Sequence, residues 1–298
     1  MASYYNEHTI VFHNGAFVKA SEAKMDLYSQ SLHYGYSVFE GIRSYKTASG
    51  ETKIFKAVEH FDRLKHSAES INLPYHWTTD ELIEATYEVL KRNNLGDAYI
   101  RPVVYAPANM SFARNTESLI VIQAWEMQPF LGEKLLRIMS SSYQRPNPKG
   151  FNITAKAAGH YVNSILASQE AKAKGFDEAL LSDMDGFVAE GPGANLFCEK
   201  DGKLYTPALG NILPGITRAT VIKICADFGI EVIEKQISPE ELRTADAAFF
   251  CGTAAEVVGF ESIDDYKFPL NWNESVSRRI QVEYKDRVCE RVGVGSEV

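Results

Sequence analysis

Residues 153–161 read ITAKAAGHY and place one lysine, Lys156, among very small side chains. The immediate neighbours are Ala155, Ala157, Ala158 and Gly159. Lysine is rarely buried without a partner, so this stretch alone is compatible with a solvated surface lysine. It is also compatible with a lysine that a bulky molecule must approach, and the rest of the chain has to decide between the two.

The composition is that of an ordinary globular protein. The chain has 298 residues, of which 45% are hydrophobic and 23% charged, enough for one large domain or two ordinary ones. Its net charge of −8 argues against a nucleic-acid partner, which requires a basic surface. No apolar run approaches the length that spans a bilayer, so we expect no membrane partner.

The cysteines and the first residues predict a reduced, cytoplasmic setting. None of the four cysteines belongs to a CxxC pair or has a histidine at metal-ligand spacing, so no metal site is expected. The opening stretch MASYYNEHTIVFHNG has no basic region followed by an apolar run, so we expect no secretory signal peptide.

Local patterns predict an α+β chain. Asn14-Gly15 between two apolar runs predicts a hairpin, and Thr78–Glu81 is typical of a capping box that opens a helix. Helical apolar spacing extends over 58–71. A change of composition at 128–134 predicts a linker. We therefore expect a smaller N-terminal α/β domain over 1–130, an interdomain loop over 131–137 and a larger domain over 138–298.

Beyond the linker, short strands are predicted around Asp-Gly turns, together with three helices over 161–174, 217–228 and 274–291. In AEGPGANLF, residues 189–197, Glu190 enters a glycine-rich turn before a strand. Taken alone, such a turn is compatible with a purely structural role.

Two more stretches have backbone groups that a ligand can reach. LPGITR, residues 213–218, opens a helix, and the unpaired N–H groups of a helix start suit a phosphate. CGTAAE, residues 251–256, adds the hydroxyl of Thr253 to a small-residue turn. Together with Lys156 and Glu190, these stretches fit a ligand that has a phosphate, a ring nitrogen and a carbonyl. Pyridoxal phosphate has all three.

Seven motifs follow one another over nearly the whole chain: HYGYSVFEGIR (33–43), HFDRL (60–64), AYIRP (98–102), TAKAAGHY (154–161), EGPGANLF (190–197), LPGITR (213–218) and GTAAE (252–256). Their order and spacing resemble those of the branched-chain amino-acid aminotransferases, which are fold type IV (class IV) pyridoxal-phosphate enzymes. The resemblance implies a two-domain α+β fold and transfer of the amino group of L-leucine, L-isoleucine or L-valine to 2-oxoglutarate. It also implies a homodimer or a larger homo-oligomer, with small-molecule amino acids and 2-oxo acids as ligands.

The resemblance implies a role in cofactor binding for several residues. Lys156 matches the lysine that holds the cofactor as an internal aldimine and shuttles the proton. Glu190 matches the carboxylate on the pyridine nitrogen, and Tyr161 the tyrosine on the phenolic oxygen. The matches for phosphate binding are Arg63, Ile216, Thr217 and Thr253. Arg63 also has an alternative as an i, i+4 ion pair with Glu59.

The other matches concern the substrate. Thr253 and Ala254 match the turn that binds the α-carboxylate, and Tyr34 matches a residue supplied by the partner subunit. The remaining pocket matches are Phe39, Gly41, Tyr99, Arg101, Met127 and Phe130. We expect Arg101 to bind the side-chain carboxylate of glutamate and to be held by an acid or a water when leucine is bound.

Several residues depart from the family pattern and leave the side-chain preference open: His160, Pro192, Met127 and Phe130. His160 has either a supporting or a catalytic role. Two relatives with the same fold remain as alternatives, a D-amino-acid aminotransferase and an aminodeoxychorismate lyase. A non-catalytic scaffold with an exposed lysine is the alternative from another class.

Overall fold

The structure of the protein is a computed structural model that describes residues 4–127 and 134–291. The described residues form two compact units. One lies within Met1–Met127 and also includes Ala155–Gly159, and the other lies within Gln128–Thr154 and His160–Val298. The segment that contains Lys156 is therefore part of the first unit, although the sequence around it belongs to the second.

The described part of the first unit contains a seven-stranded sheet and three helices. The strands are β1 (Ile10–His13), β2 (Ala16–Lys19), β3 (Ser37–Phe39), β4 (Ile42–Lys46), β5 (Thr52–Ile54), β6 (Ala98–Tyr105) and β7 (Leu119–Glu126). The helices are α1 (Gln30–Tyr34), α2 (Ala57–Ser70) and α3 (Thr79–Arg92). The strand order is β2-β1-β7-β6-β4-β5, with β3 also paired to β6. Buried apolar residues of α2 and α3, such as Phe61, Leu64 and Leu82, share one core with the sheet.

The local predictions for this unit are confirmed. Asn14 and Gly15 both have positive φ, which a two-residue turn between β1 and β2 requires. Thr78 and Glu81 form the capping box of α3, each side chain accepting from the other residue's backbone N–H. The helix predicted over 58–71 is α2, offset by one residue at each end.

Among the residues that the structure describes, the second unit contains a nine-stranded sheet and four helices. Its strands are β8 (Leu136–Gln144), β9 (Glu178–Ser182), β10 (Val188–Glu190), β11 (Asn195–Lys200), β12 (Lys203–Pro207), β13 (Val232–Lys235), β14 (Ala247–Gly252), β15 (Glu256–Ile263) and β16 (Tyr266–Lys267). Its helices are α4 (Tyr161–Ala173), α5 (Ile216–Asp227), α6 (Pro239–Leu242) and α7 (Val276–Val288). Short 3₁₀ turns lie at Ala158–His160 and Trp272–Glu274.

This sheet closes on itself. The path β10-β9-β8-β15-β14-β11 returns to its start because β10 also pairs with β11, while β12 and β13 extend it from β11. The closing pair is Glu190 with Asn195. The glycine-rich turn between them therefore lies at the rim of the closed sheet.

One feature differs from the predicted domain limits, which otherwise stay a prediction. The interdomain loop was expected over 131–137, but β8 begins at Leu136, which is buried and pairs with Phe260 of β15. Burial of this apolar side chain against a neighbouring strand ends the loop early. Residues 131–133 of that loop lie outside the described part of the chain.

The last predicted helix is shorter than expected. It was predicted over 274–291, whereas α7 covers Val276–Val288 and is capped by Ser275, whose side chain accepts from Arg278 N. Within residues 4–127 and 134–291, no helix has the length and apolar character needed to cross a membrane. No group of histidine, cysteine or acidic side chains in those ranges has the arrangement of a metal site.

Candidate active site

Lys156 is held by its backbone in the first unit. Its N–H donates to Ser67 Oγ of α2 at 3.0 Å, and its C=O accepts from Phe39 N of β3 at 3.1 Å. The next residue, Ala157, forms an isolated bridge with Val38. Lys156 Nζ lies 5.2 Å from the centroid of the Phe39 ring. The half-buried lysine is thus anchored between a helix and a strand, which does not fit a lysine that is simply solvated.

Arg63 forms a buried ion pair that the sequence did not predict. Its Nε and Nη2 donate to the two oxygens of Glu40 at 2.6 and 2.9 Å. The expected alternative was a pair with Glu59, but Glu59 pairs with Lys56 at 2.5 Å. Glu40 also accepts from His60 Nδ1 at 2.7 Å. Arg63 is therefore fixed in direction by a carboxylate from the loop between β3 and β4.

Arg101 lies against two aromatic rings. Its guanidinium carbon is 4.5 Å from the Phe39 ring centroid and 5.2 Å from that of Tyr99. Its Nη2 donates to Tyr99 Oη at 2.9 Å. Its Nε is buried without a hydrogen-bond partner among the described residues. In the described chain a tyrosine hydroxyl holds Arg101, and the acid or water expected to hold it when leucine is bound stays a prediction.

Gly41 makes room for this cluster. A Cβ at Gly41 would lie 2.0 Å from Tyr99 Oη, so a larger residue would displace the hydroxyl that holds Arg101. Phe39, Gly41, Tyr99, Arg101 and Lys156 therefore lie close together in the first unit, and their roles toward substrate and cofactor stay a prediction. They combine an apolar ring with two cations.

The structure places the predicted substrate residues Tyr34 and Met127 in different surroundings, and it does not describe Phe130. Tyr34 is 47% exposed at the end of α1, and its ring packs on Phe112, which is 91% exposed. Met127 is half-buried, and its C=O accepts from Arg43 Nη2 at 3.2 Å. Phe130 lies outside the described residues. A substrate role for these three residues stays a prediction.

Glu190, at the end of β10, has hydrogen-bond and ion-pair partners from several parts of the second unit. It is buried, and its carboxylate accepts from Asn195 Nδ2 at 2.9 Å and from Leu213 N at 3.1 Å. Arg145 Nε lies 2.9 Å from Glu190 Oε1, which makes an ion pair although the angle does not suit a hydrogen bond. A buried negative charge is thus compensated by a cation on one side.

Asn195 connects Glu190 to the segment that precedes α5. Its Nδ2 also donates to Leu213 O at 3.0 Å. A Cβ at Gly215 would lie 1.9 Å from Asn195 Oδ1, so this close approach requires glycine.

The start of α5 has no side-chain cap. Gly215 is the N-cap of the helix and has no side chain with which to accept from the first turn. The first N–H groups, at Ile216 and Thr217, therefore have the arrangement that binds an anion.

Thr253 and Ala254 lie in the turn between β14 and β15. Strand β14 pairs with β11, with Cys251 opposite Asn195. A Cβ at Gly252 would be 3.0 Å from Gly193 O, so this turn comes close to the glycine-rich turn that follows Glu190. Thr253 and Ala254 are half-buried.

Tyr161 and His160 lie where α4 begins. Tyr161 is the first residue of the helix and half-buried, and His160 is its N-cap. The His160 ring lies 5.3 Å from that of Phe151 in an edge-on arrangement. Burial, together with the nearby charge of Arg145, lowers the pKa of His160, so the ring is neutral near pH 7. These contacts favour a supporting role for His160.

Comparison with known proteins identifies the family. Residues 37–263 match the amino-transferase class IV family. The chain belongs to the class IV aminotransferases. A branched-chain-amino-acid aminotransferase of Pseudomonas aeruginosa is 38% identical over 97% of this chain and 95% of its own.

Solved structures of class IV aminotransferases share the fold. The branched-chain aminotransferase of Thermoproteus uzoniensis with norvaline has a TM-score of 0.91 and 38% identity, over 95% of both chains. The branched-chain amino acid aminotransferase of T.th., complexed with N-(5'-phosphopyridoxyl)-L-glutamate, has a TM-score of 0.89 and 38% identity, over 96% of this chain and 95% of that one. This class IV aminotransferase thus has the two-domain α+β architecture of fold type IV, and its cofactor is pyridoxal 5'-phosphate.

The residues of this class IV aminotransferase fit that cofactor. A half-buried lysine suits the aldehyde, a buried carboxylate suits a protonated ring nitrogen, and the uncapped start of α5 suits the phosphate.

Sequence reasoning missed five residues that orient the site: Glu40, His60, Ser67, Arg145 and Asn195. Glu40, His60 and Asn195 lie inside quoted motifs, so their polar side chains next to glycine-rich or apolar residues were the available signal. His60 and Ser67 lie three residues before and four residues after Arg63, on the same face of α2. No local signal identified Arg145, whose contact with Glu190 spans many residues.

Proposed function

We propose that this chain is a branched-chain amino-acid transaminase that moves the amino group of L-leucine, L-isoleucine or L-valine to 2-oxoglutarate. The observation that carries the proposal is the pairing of Arg101 with Phe39. The guanidinium of Arg101 lies 4.5 Å from the Phe39 ring centroid, and its buried Nε has no hydrogen-bond partner among the residues that the structure describes. The Phe39 ring offers an apolar surface to an aliphatic side chain, and the Arg101 guanidinium offers a cation to an acidic side chain.

The named relatives support the same pair of substrates. The Thermoproteus uzoniensis enzyme was solved with norvaline, which is an apolar amino acid. The T.th. enzyme was solved with a phosphopyridoxyl derivative of L-glutamate. A chain that is 38% identical to each would accept both types of side chain.

The cofactor supplies, when bound, an electron sink for the charge that develops at the substrate Cα. Lys156 then removes the proton from Cα and returns it. Two hydrogen bonds to its backbone, from Phe39 N and to Ser67 Oγ, keep its amine in position for this step. Glu190 keeps a proton on the ring nitrogen, since an opposite charge nearby favours the cation. Tyr161 donates to the phenolic oxygen.

The phosphate has its own set of donors. Arg63 binds it as a planar guanidinium, whose N–H groups match the geometry of phosphate oxygens. Ile216, Thr217 and Thr253 add further donors.

The carboxylates of the substrate are bound by other groups. The turn at Thr253 and Ala254 binds the α-carboxylate. Gly41 and Tyr99 keep Arg101 in place for the γ-carboxylate of glutamate.

We also propose a homodimer or a larger homo-oligomer in the cytoplasm, in which Tyr34 contributes to the site of the partner subunit. The exposure of Tyr34 and of its neighbour Phe112 supports an additional contact at this surface.

Steady-state assays with single amino donors and 2-oxoglutarate test the proposed function. L-leucine, L-isoleucine and L-valine should react, and their D-enantiomers should not. Preference for D-alanine would instead indicate a D-amino-acid aminotransferase, and release of pyruvate from aminodeoxychorismate would indicate the lyase. A purified protein that is colourless with added cofactor and inactive with every donor would support the scaffold.

A further inference from the structure

Helix α2 directs three polar side chains into the first unit. His60, Arg63 and Ser67 are spaced i, i+3 and i+7, so they share one face of the helix. His60 is 1% exposed and Ser67 is fully buried. Buried polar groups are costly unless they are hydrogen-bonded, so the partners of this face indicate its purpose. Ser67 holds the Lys156 backbone, while His60 and Arg63 both hold Glu40.

Glu40 is fully buried and accepts from three residues on one carboxylate. Its Oε1 accepts from Arg63 Nε at 2.6 Å, and its Oε2 accepts from Arg63 Nη2 at 2.9 Å. Oε2 also accepts from His60 Nδ1 at 2.7 Å and from Gly41 N at 3.2 Å. The bidentate bond fixes the plane of the guanidinium and hence the direction of its remaining N–H groups.

The charges of this group are set by burial and by one another. Burial alone would raise the pKa of Glu40, but the Arg63 guanidinium and His60 outweigh it and hold the pKa well below its usual range. Burial lowers the pKa of His60 and outweighs the opposite effect of Glu40. Glu40 and Arg63 are therefore a charged pair. His60 is neutral, with its proton on Nδ1, where it fixes the carboxylate without adding charge.

We propose that Glu40 and His60 are positioning residues for phosphate binding, because Glu40 orients the Arg63 guanidinium and His60 orients Glu40. The inference rests on the proposed function, in which Arg63 binds the cofactor phosphate. The competing explanation is an ion pair that only stabilises the first unit. The two differ in one measurable quantity, the preference of the apo protein for pyridoxal 5'-phosphate over pyridoxal, which has no phosphate.

The test uses substitutions that keep the net charge, because replacing Glu40 by a neutral residue would also remove a negative charge that repels phosphate. His60→Leu removes the bond to Glu40, and Glu40→Asp shortens the carboxylate so that it cannot reach both partners. His60→Asn keeps a neutral donor near the position of Nδ1. His66→Leu is the matched control, since it makes the same change at an exposed histidine of the same helix without touching Glu40.

Each apo variant is titrated with pyridoxal 5'-phosphate and with pyridoxal, and its unfolding free energy is measured separately. His60→Leu and Glu40→Asp should lower the preference for the phosphorylated ligand about tenfold, the scale of one weakened hydrogen bond to a charged group. His60→Asn should restore most of this preference. His66→Leu should keep the wild-type preference.

The outcomes separate the inference from the proposed function. If both ligands lose affinity equally in His60→Leu and Glu40→Asp, Glu40 and His60 only stabilise the fold and the inference is wrong. Arg63→Ala is titrated alongside them. If Arg63→Ala keeps the wild-type preference for pyridoxal 5'-phosphate, both the phosphate role of Arg63 and the inference are wrong. If Arg63→Ala loses this preference while His60→Leu and Glu40→Asp keep it, only the inference is wrong. If His60→Leu does not fold, Glu40→Asp decides by the same ratio.

Discussion

Glu190 Oε1 lies 2.9 Å from Arg145 Nε, and both side chains are buried. Arg145 therefore compensates the negative charge of Glu190 in the interior, where an unpaired charge would be costly. Asn195 and the Leu213 backbone bind the same carboxylate from other directions. The residue assigned to the ring nitrogen is thus held in one orientation by these partners together.

Glu190→Gln should keep the cofactor bound but slow the removal of the Cα proton, because a neutral amide does not favour a protonated ring nitrogen. The measurement is the kinetic isotope effect with α-deuterated leucine, which should increase as chemistry becomes slower. Glu178→Gln is a matched control, since Glu178 is another buried acid of the second unit. Wild-type turnover in Glu190→Gln with rate-limiting chemistry would contradict the assigned role.

Lys156→Ala should abolish transamination almost completely, because Lys156 is the amine that the backbone anchors beside Phe39. The wild-type protein should be yellow, and borohydride should fix the cofactor on the peptide that contains Lys156. Lys223→Ala, at an exposed lysine, should behave as wild type. Recovery of the label on another lysine would show that Lys156 is not the attachment site.

Arg63→Ala should weaken retention of the cofactor by about 1.5–3 kcal/mol, the scale of a hydrogen bond to a charged group. The variant also leaves the buried carboxylate of Glu40 without its cation, so a loss of folding stability should accompany it. Dialysis against cofactor-free buffer should strip this variant before the wild type. Arg92→Ala breaks an exposed ion pair with Glu88 and serves as the control. Equal retention in both variants would leave Arg63 with a structural role only.

Arg101→Leu should raise the Michaelis constants for glutamate and 2-oxoglutarate roughly ten- to hundredfold, which corresponds to one lost charge-assisted contact. The constant for leucine should change much less, because the Phe39 ring remains to contact an apolar side chain. Steady-state kinetics with each substrate varied in turn give both values. An equal change for leucine and glutamate would mean that Arg101 only supports the pocket.

The buried His60 predicts a pH dependence of stability. Burial lowers its pKa in the folded protein below the ordinary value of 6.5, so the unfolded chain binds a proton first as the pH falls. The stabilising contribution is present above pH 6.5 and decreases below it. Denaturant unfolding between about pH 7.5 and about pH 5.5 avoids most titration of carboxylates. His60→Asn should show a smaller decrease than wild type, whereas His66→Asn, at an exposed histidine of the same helix, should not.

The seven motifs identified the family, and in the fold their residues lie in two groups, one around Lys156 in the first unit and one around Glu190 in the second. This succeeded because each motif is local: a glycine-rich turn, a helix start or a lysine among small residues is specified by adjacent residues. The hairpin at Asn14-Gly15 and the capping box at Thr78 were predicted for the same reason. The partners of those motif residues were not predicted.

What the sequence by itself determined is the set of groups that suit the cofactor: a lysine, a carboxylate and a helix start that suits a phosphate, in the order of a class IV aminotransferase. Only the tertiary structure decided which side chains orient them. The local alternative for Arg63 was Glu59, one turn away, but Arg63 bonds to Glu40, and Arg145 pairs with Glu190. The two residues of each pair are distant in the chain. A buried charge needs a compensating partner, and folding decides which residue lies close enough to be that partner, so local spacing does not specify it.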